Sequence, residues 1–164
     1  MQSQLKISPL TIEHHEFQRI RVDASEDETH QGPISLETVR RVERHPDESR
    51  RWMVELTVEF GSSDENNKAP YSGSISVAGW FTVADAYPEE RQQMLVEVTA
   101  VSILYGACRE MVASFTARAS HGILSLPSVT FPPIAASTSM SPPAEVVSDG
   151  KVRRKVTRKA NPNP

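Results

Sequence analysis

Between residues 50 and 60 the chain reads RRWMVELTVEF, and every second position is apolar. Trp52, Val54, Leu56, Val58 and Phe60 share one parity; Arg51, Glu55, Thr57 and Glu59 share the other, with Met53 among them. Successive side chains of a strand point to opposite faces, so this period of two predicts a strand buried on one side. The next stretch, GSSDENNKAP, is loop chemistry. YSGSISVAGWFTVA (71–84) then alternates again. Tyr71, Ile75, Val77, Phe81 and Val83 keep one phase, with Gly73 and Gly79 between them. Ser72, Ser74, Ser76 and Thr82 keep the other, with Trp80. Two alternating runs around a loop predict an antiparallel hairpin. Upstream, EFQRIRVDA (16–24) is strand-like, with Ile20 and Val22 in phase. ISLETVRRVERH (34–45) starts in phase at Ile34 and Leu36 and slips at Val39 and Val42, which predicts a bulge or an irregular stretch.

After Asp85 the period changes. Pro88, Glu89 and Glu90 suit the first turn of a helix, where proline is tolerated and negative charge is favoured. From about residue 96, Val101, Leu104, Tyr105, Cys108, Met111, Val112, Phe115 and Ala119 recur at steps of three and four, one face of a long helix. Gly122 stands where a C-terminal stop is expected. Four strands followed by a long helix predict an α+β fold: a four-stranded antiparallel sheet with the helix packed on one face.

The far side of that helix changes the picture. Ala100, Ile103, Ala107 and Ser114 lie there, with Ala117 at its edge, where a surface helix would be charged. A helix apolar nearly all round is buried on both sides, and one sheet covers only one of them. These residues are therefore expected to form an oligomer interface; the alternative is that strands of the same chain wrap the helix.

Charge divides the chain in two. Residues 1–131 hold 12 Lys+Arg against 19 Asp+Glu, and residues 132–164 hold 6 against 2. The second part begins PPIAASTSMSPPAEVVSDG, holds six of the twelve prolines and ends in KVRRKVTRKANPNP. Proline breaks helix and sheet, and Ser/Ala/Pro sequence buries too little apolar surface to offset ordering. A folded domain over 1–131 and a Pro-rich, then basic tail over 132–164, disordered for most of its length, are expected. A single cysteine excludes an intramolecular disulfide. With no secretory signal pattern and no apolar run long enough to span a bilayer, a cytoplasmic location without membrane insertion is expected.

The order of elements, and ILYGACREMVASFTARASHGILSLPSVTF within it, resembles the SecB-type export chaperones. Ile103, Leu104, Tyr105, Arg109 and Glu110 match the family's helix pattern; Leu124, Leu126, Pro127 and Phe131 match the stretch after it. Gly106 and Ala107 stand where the family has proline and an aromatic, and PPIAASTSMSPPAE takes the place of a second helix. The resemblance covers roughly residues 15–131. It implies a SecB-like homotetramer, a dimer of dimers, that holds unfolded polypeptides without ATP or any cofactor. The clients would be export substrates or a dedicated client such as an antitoxin. By the same resemblance, acidic residues of the sheet face dock the motor SecA, and Glu55 and Glu59 are the candidates.

A holdase needs apolar strips that recognise non-native chains. Met53 and Trp80, off the core parity, and Leu124, Leu126 and Phe131 are the candidate client contacts. Other chemistry is thin. Glu13, His14, His15 and Glu16 lack metal-site spacing, and adjacent strand histidines point apart. Cys108 on the apolar helix face reads as a packing thiol, and no acid–base or nucleophile constellation points to an enzyme. The rival reading is a nucleic-acid or anionic-surface binder acting through six basic residues in the nine positions 151–159.

Overall fold

The computed structural model describes residues 7–27, 29–66 and 68–134; the expected disorder of residues 135–164 lies outside them. Four strands, β1 (Leu10–Ala24), β2 (Ile34–Arg44), β3 (Arg51–Ser62) and β4 (Tyr71–Val83), form one antiparallel sheet in the order β1-β4-β3-β2. The helical region follows: a 3₁₀ turn at Glu89–Arg91, α1 (Gln92–Leu95), a π-turn at Val96–Ala100 and α2 (Val101–Thr116). This is the expected α+β architecture.

The alternation of β3 and β4 decides which face is the core. Trp52, Val54, Leu56, Val58, Phe60, Tyr71, Ile75, Val77, Phe81 and Val83 are all buried. Val96, Ala100, Val101, Leu104, Tyr105, Cys108 and Val112 of the helical region join them in one apolar cluster. Fully burying a side chain such as Leu or Phe contributes roughly 1.5–3 kcal/mol, so this cluster is the main source of cohesion. Glycine allows two close approaches. A Cβ on Gly79 would lie 3.1 Å from a Leu104 methyl of the helix. One on Gly73 would lie 2.2 Å from the carbonyl oxygen of Arg21 on β1.

Three local expectations need correction. The β2–β3 register runs unbroken from Ile34↔Ser62 to Arg44↔Trp52, so β2 has no bulge. Val42 shares the parity of Ile34 and Leu36 and packs on the core with them; only Val39 points the other way. The shifts lie in β1, between Ile12 and His14 and between Phe17 and Arg19. That strand begins earlier than its alternation suggested, because the bulges scramble the parity of EHHE. His14 pairs with Trp80 and His15 with Gly79 inside the strand. Finally, the helix stops at Thr116; Gly122 lies beyond it in a later turn, with φ +76°.

The helix face that steps of three and four select is the buried one for Val101, Leu104, Tyr105, Cys108 and Val112, with Met111 and Ala119 packed against the core beside them; it fails at Phe115. The buried positions are 96, 100, 104, 108, 112 and 116, with 97, 101 and 105 beside them. A step of four advances more than one α-turn, so the buried stripe winds around the helix as the twisted sheet turns beneath it. The π-turn, with its extra residue, keeps both Val96 and Val101 on the sheet. Ala100, expected at an oligomer interface, is therefore 0% exposed in the core. Phe115, expected in the core, is 52% exposed.

Candidate functional site

After α2 the chain turns and runs back as an extended strap, with no regular secondary structure over residues 122–133. It lies against the helix and the β2 side of the sheet, and its main chain is held by side chains. Tyr71 Oη donates to the carbonyl of Gly122 (2.6 Å), Arg109 Nε to that of Leu126 (2.9 Å) and Tyr105 Oη to that of Pro127 (2.6 Å). Arg40 Nη2 donates to the carbonyl of Pro132 (2.6 Å). Two contacts run the other way: Leu124 N–H donates to Thr116 Oγ1 (2.8 Å), and Ile134 N–H to the buried Glu97 carboxylate (2.9 Å). Burial pushes the Tyr105 phenol above its ordinary pKa, so it stays a donor at neutral pH.

Two strap side chains are anchors. Leu126 is 1% exposed and Phe131 6%. The Phe131 ring meets Tyr105 edge-on at 5.6 Å, and the Arg40 guanidinium lies 5.9 Å from its centre. Between the strap and β2 is a cleft of about 290 Å³ lined by Leu36, Thr38, Arg40, Val129, Phe131 and Pro132 with Thr130. Leu36, Thr38 and Arg40 reach the cleft from the core-facing side of β2, and among the described residues β2 pairs only with β3, which leaves its other edge outside the ladder. Unpaired edges of this kind accept an added extended chain.

The sequence-derived candidates divide between these surfaces. Leu126 and Phe131 are not exposed client strips: both are core anchors of the strap, because an extended segment crossing an apolar helix buries whichever side chains face it. Leu124 is partly buried beside them. Met53 and Trp80 pair across β3 and β4 on the outer face and are half-buried. Trp80 is covered by the Arg51 guanidinium at 4.6 Å and by the edge of His45 at 5.7 Å. Arg51 in turn pairs with Glu13 at 3.0 Å. The Thr82 hydroxyl and Arg51 hold the Glu13 carboxyl below its usual range. Glu55 lies 3.8 Å from Arg41. Glu59 sits directly opposite Glu37, and neither has a cation partner among the described residues.

On the helix, Ile103, Ala107, Met111 and Phe115 form a second step-of-four stripe beside the buried one. Ile103 is 39% exposed, and Ala107 and Met111 are half-buried. Ser114 and Ala117 are exposed next to it. Met111 borders both surfaces and packs against the core as expected, whereas Phe115, placed inside by the sequence reading, lies on this stripe. Of the motif residues, Leu104 and Tyr105 are buried, Glu110 is exposed, and Tyr105, Arg109 and Pro127 hold strap and helix together. Arg40 and Glu97 also went unnoticed: no local pattern distinguishes an arginine of one edge strand that contacts a segment 92 residues away.

Cys108 is buried, and burial pushes its thiol up to about 12. A thiol reagent at pH 8 is expected to leave the native protein untouched and to modify it fully in denaturant. Reaction in the native state at the unfolded rate would contradict the burial. By linkage, the unfolded chain loses this proton first, so stability should fall as pH rises from about 9 toward 12.

Among the described residues no helix is long and apolar enough to cross a membrane, and no group of three or more His, Cys, Asp or Glu is placed to hold a metal ion. A family model described as the preprotein translocase subunit SecB matches residues 2–139. Among solved structures, the chain is similar to a SecB-like chaperone of Mycobacterium tuberculosis in complex with a ChAD peptide from the HigA1 antitoxin. The TM-score is 0.58 and the identity 18%, over 76% of this chain and 93% of that one. A protein of unknown function from Streptococcus agalactiae is similar with a TM-score of 0.43 and 13% identity, over 73% of this chain and 97% of that one. No curated protein sequence matches the chain.

Proposed function

Because the chain belongs to the SecB family and is a SecB-family chaperone, we propose that it acts as an ATP-independent holdase, capturing extended segments of non-native polypeptides in the cytoplasm. Chaperones of this family are not enzymes. The observation that carries the reading is the cleft between β2, an edge strand, and the strap. A free edge offers main-chain hydrogen bonds to any sequence, and Leu36 and Val129 offer apolar contacts in the cleft. Affinity that is sequence-tolerant and weak per site is what a holdase requires, and several sites on one oligomer raise it through effective concentration. The half-buried Met53 and Trp80 pair extends the capture surface onto the outer face.

The stripe of Ile103, Ala107, Met111 and Phe115, flanked by Ser114 and Ala117, assembles the chain into a tetramer. The clients are export substrates passed to the Sec translocase, or a dedicated antitoxin client of the kind seen with the mycobacterial relative. For export, Glu59 with its neighbour Glu37, and Glu55, receive a basic surface of SecA.

Size exclusion with light scattering, on the protein alone and mixed with a reduced, permanently unfolded polypeptide, tests the reading. A mass near four times 18.2 kDa, moving to a client complex that persists in salt, is expected. At about 1 M ionic strength the Debye length is roughly 3 Å, so apolar capture survives and charge-driven binding does not. The basic run 151–159 supports a second reading, binding to nucleic acid or an anionic surface. Complexes formed with RNA or anionic vesicles, and lost in the same salt, would favour it. A protein that ignores the unfolded client would end the holdase proposal.

A further inference from the structure

The strap is bound as a ligand would be. Four of its carbonyls, at Gly122, Leu126, Pro127 and Pro132, are met by side-chain donors from Tyr71, Arg109, Tyr105 and Arg40. Donors that read main-chain carbonyls are indifferent to which residues carry them. Side-chain recognition is confined to two apolar anchors five positions apart, Leu126 and Phe131, each closed from solvent. β2 has no strand partner on this side, so the strap adds no ladder to it. Its prolines explain part of that. Pro127, Pro132 and Pro133 have no N–H to donate to a ladder.

From this geometry we propose that the strap is a built-in stand-in for client. Its seat takes an extended peptide with two apolar side chains about five residues apart, and client entering the seat displaces residues 123–134. The inference rests on the reading of the chain as a binder of unfolded polypeptide. A client reuses the donors of Arg109, Tyr105 and Arg40 and fills the two anchor sites, while Tyr71 keeps the Gly122 carbonyl at the pivot. The strap holds its place through its covalent link, which gives it a high effective concentration at the seat. Gly122, the one described residue with a positive φ, is the pivot where it leaves the helix end. At the far end Arg40 closes the seat: besides the Pro132 carbonyl it donates to the main-chain carbonyl of Glu97 in the π-turn (3.3 Å).

Hydrogen exchange of the full chain, with and without a saturating permanently unfolded polypeptide, tests displacement. Binding should raise exchange across 123–134 at least tenfold. Bound client with unchanged or slower exchange there would overturn the displacement and leave the holdase reading standing. Should the client not bind at all, the holdase reading fails, and a second arm still decides the seat. In it a fluorescein-labelled peptide of sequence HGILSLPSVTFPP is titrated into the wild type and into Phe131→Ala and Leu126→Ser, each first confirmed folded by circular dichroism. Emptying an anchor should tighten peptide binding at least tenfold over the wild type. Equal binding, or none, to a folded variant overturns the proposal. If neither variant folds, the wild type alone decides: labelled peptide that binds and speeds exchange across 123–134 supports the seat, and failure to do so at millimolar peptide overturns it.

Discussion

Gly73→Ala is expected to be the most damaging single methyl group that can be added to this chain, at about 3 kcal/mol or more. The added Cβ would fall 2.2 Å from the carbonyl oxygen of Arg21 and 2.7 Å from Cζ of Phe60. A phenyl ring can tilt away; a backbone carbonyl of a paired strand cannot. β1 must then separate from β4 at the Val22↔Gly73 pair, or the buried Phe60 must leave its rotamer. With total stabilities of roughly 5–15 kcal/mol for native domains, either outcome should be plain in a urea melt. Two other glycines supply the controls. Gly61→Ala meets only the Ser72 Cβ, at 3.5 Å, an ordinary contact. Gly106→Ala, in α2 with nothing within 4 Å, should stabilise by roughly 0.5–1 kcal/mol through helix propensity. A Gly73→Ala midpoint matching that of Gly61→Ala would refute the close approach of β1 and β4.

Ala107→Glu is expected to abolish the proposed tetramer. Position 107 lies in the middle of the stripe Ile103, Ala107, Met111 and Phe115, on the side of the helix that the sheet leaves uncovered. In a helix–helix contact a small residue sets the distance of approach. A carboxylate there is both too large and uncompensated, and an unpaired buried charge costs several kcal/mol. Light scattering should report a mass near the 18.2 kDa protomer in place of the assembled species. The melting transition of the protomer itself should move little, since this face of Ala107 does not meet the sheet. An unchanged assembled mass would remove this stripe as the interface. Glu110→Ala, on the exposed charged side of α2, is the control expected to leave the mass alone.

The two interior strands were legible because their chemistry is locally redundant. β3 and β4 are covered on one face along their whole length, so each alternate residue from Trp52 to Phe60 repeats the same message. The edge strands carry less of it. Half of β1 faces solvent on both sides, and its two register shifts break the parity of EHHE, which hides the strand start. Val39 points away from the core within a regular β2 and imitates a bulge that is not there. The resemblance carried by Tyr105, Arg109, Leu126 and Pro127 selected residues that do meet in space, and their meeting is what holds the strap.

The residues of the candidate site were less legible, for a geometric reason. Leu126 and Phe131 are apolar in the sequence whether they face a client or the helix, and only the path of the strap decides between the two. Arg40 is one arginine among several on β2 until Pro132 and the carbonyl of Glu97 are brought to it.

What the sequence determined by itself is the element order, the inward face of the central strands and the excess of apolar surface on the helix. Each of these follows from local periodicity and from the free energy of removing apolar side chains from water. The tertiary structure alone decided the margins of the buried helix face, because those depend on the twist of the sheet beneath it. It moved Ala100 into the core and Phe115 out of it, while the rest of the face read from the sequence stayed where it was expected. The strap and its seat were likewise decided only in three dimensions. An extended segment with no ladder of its own has no period to read, and its place is set by side-chain donors from β2, β4 and the helix that only the completed fold assembles.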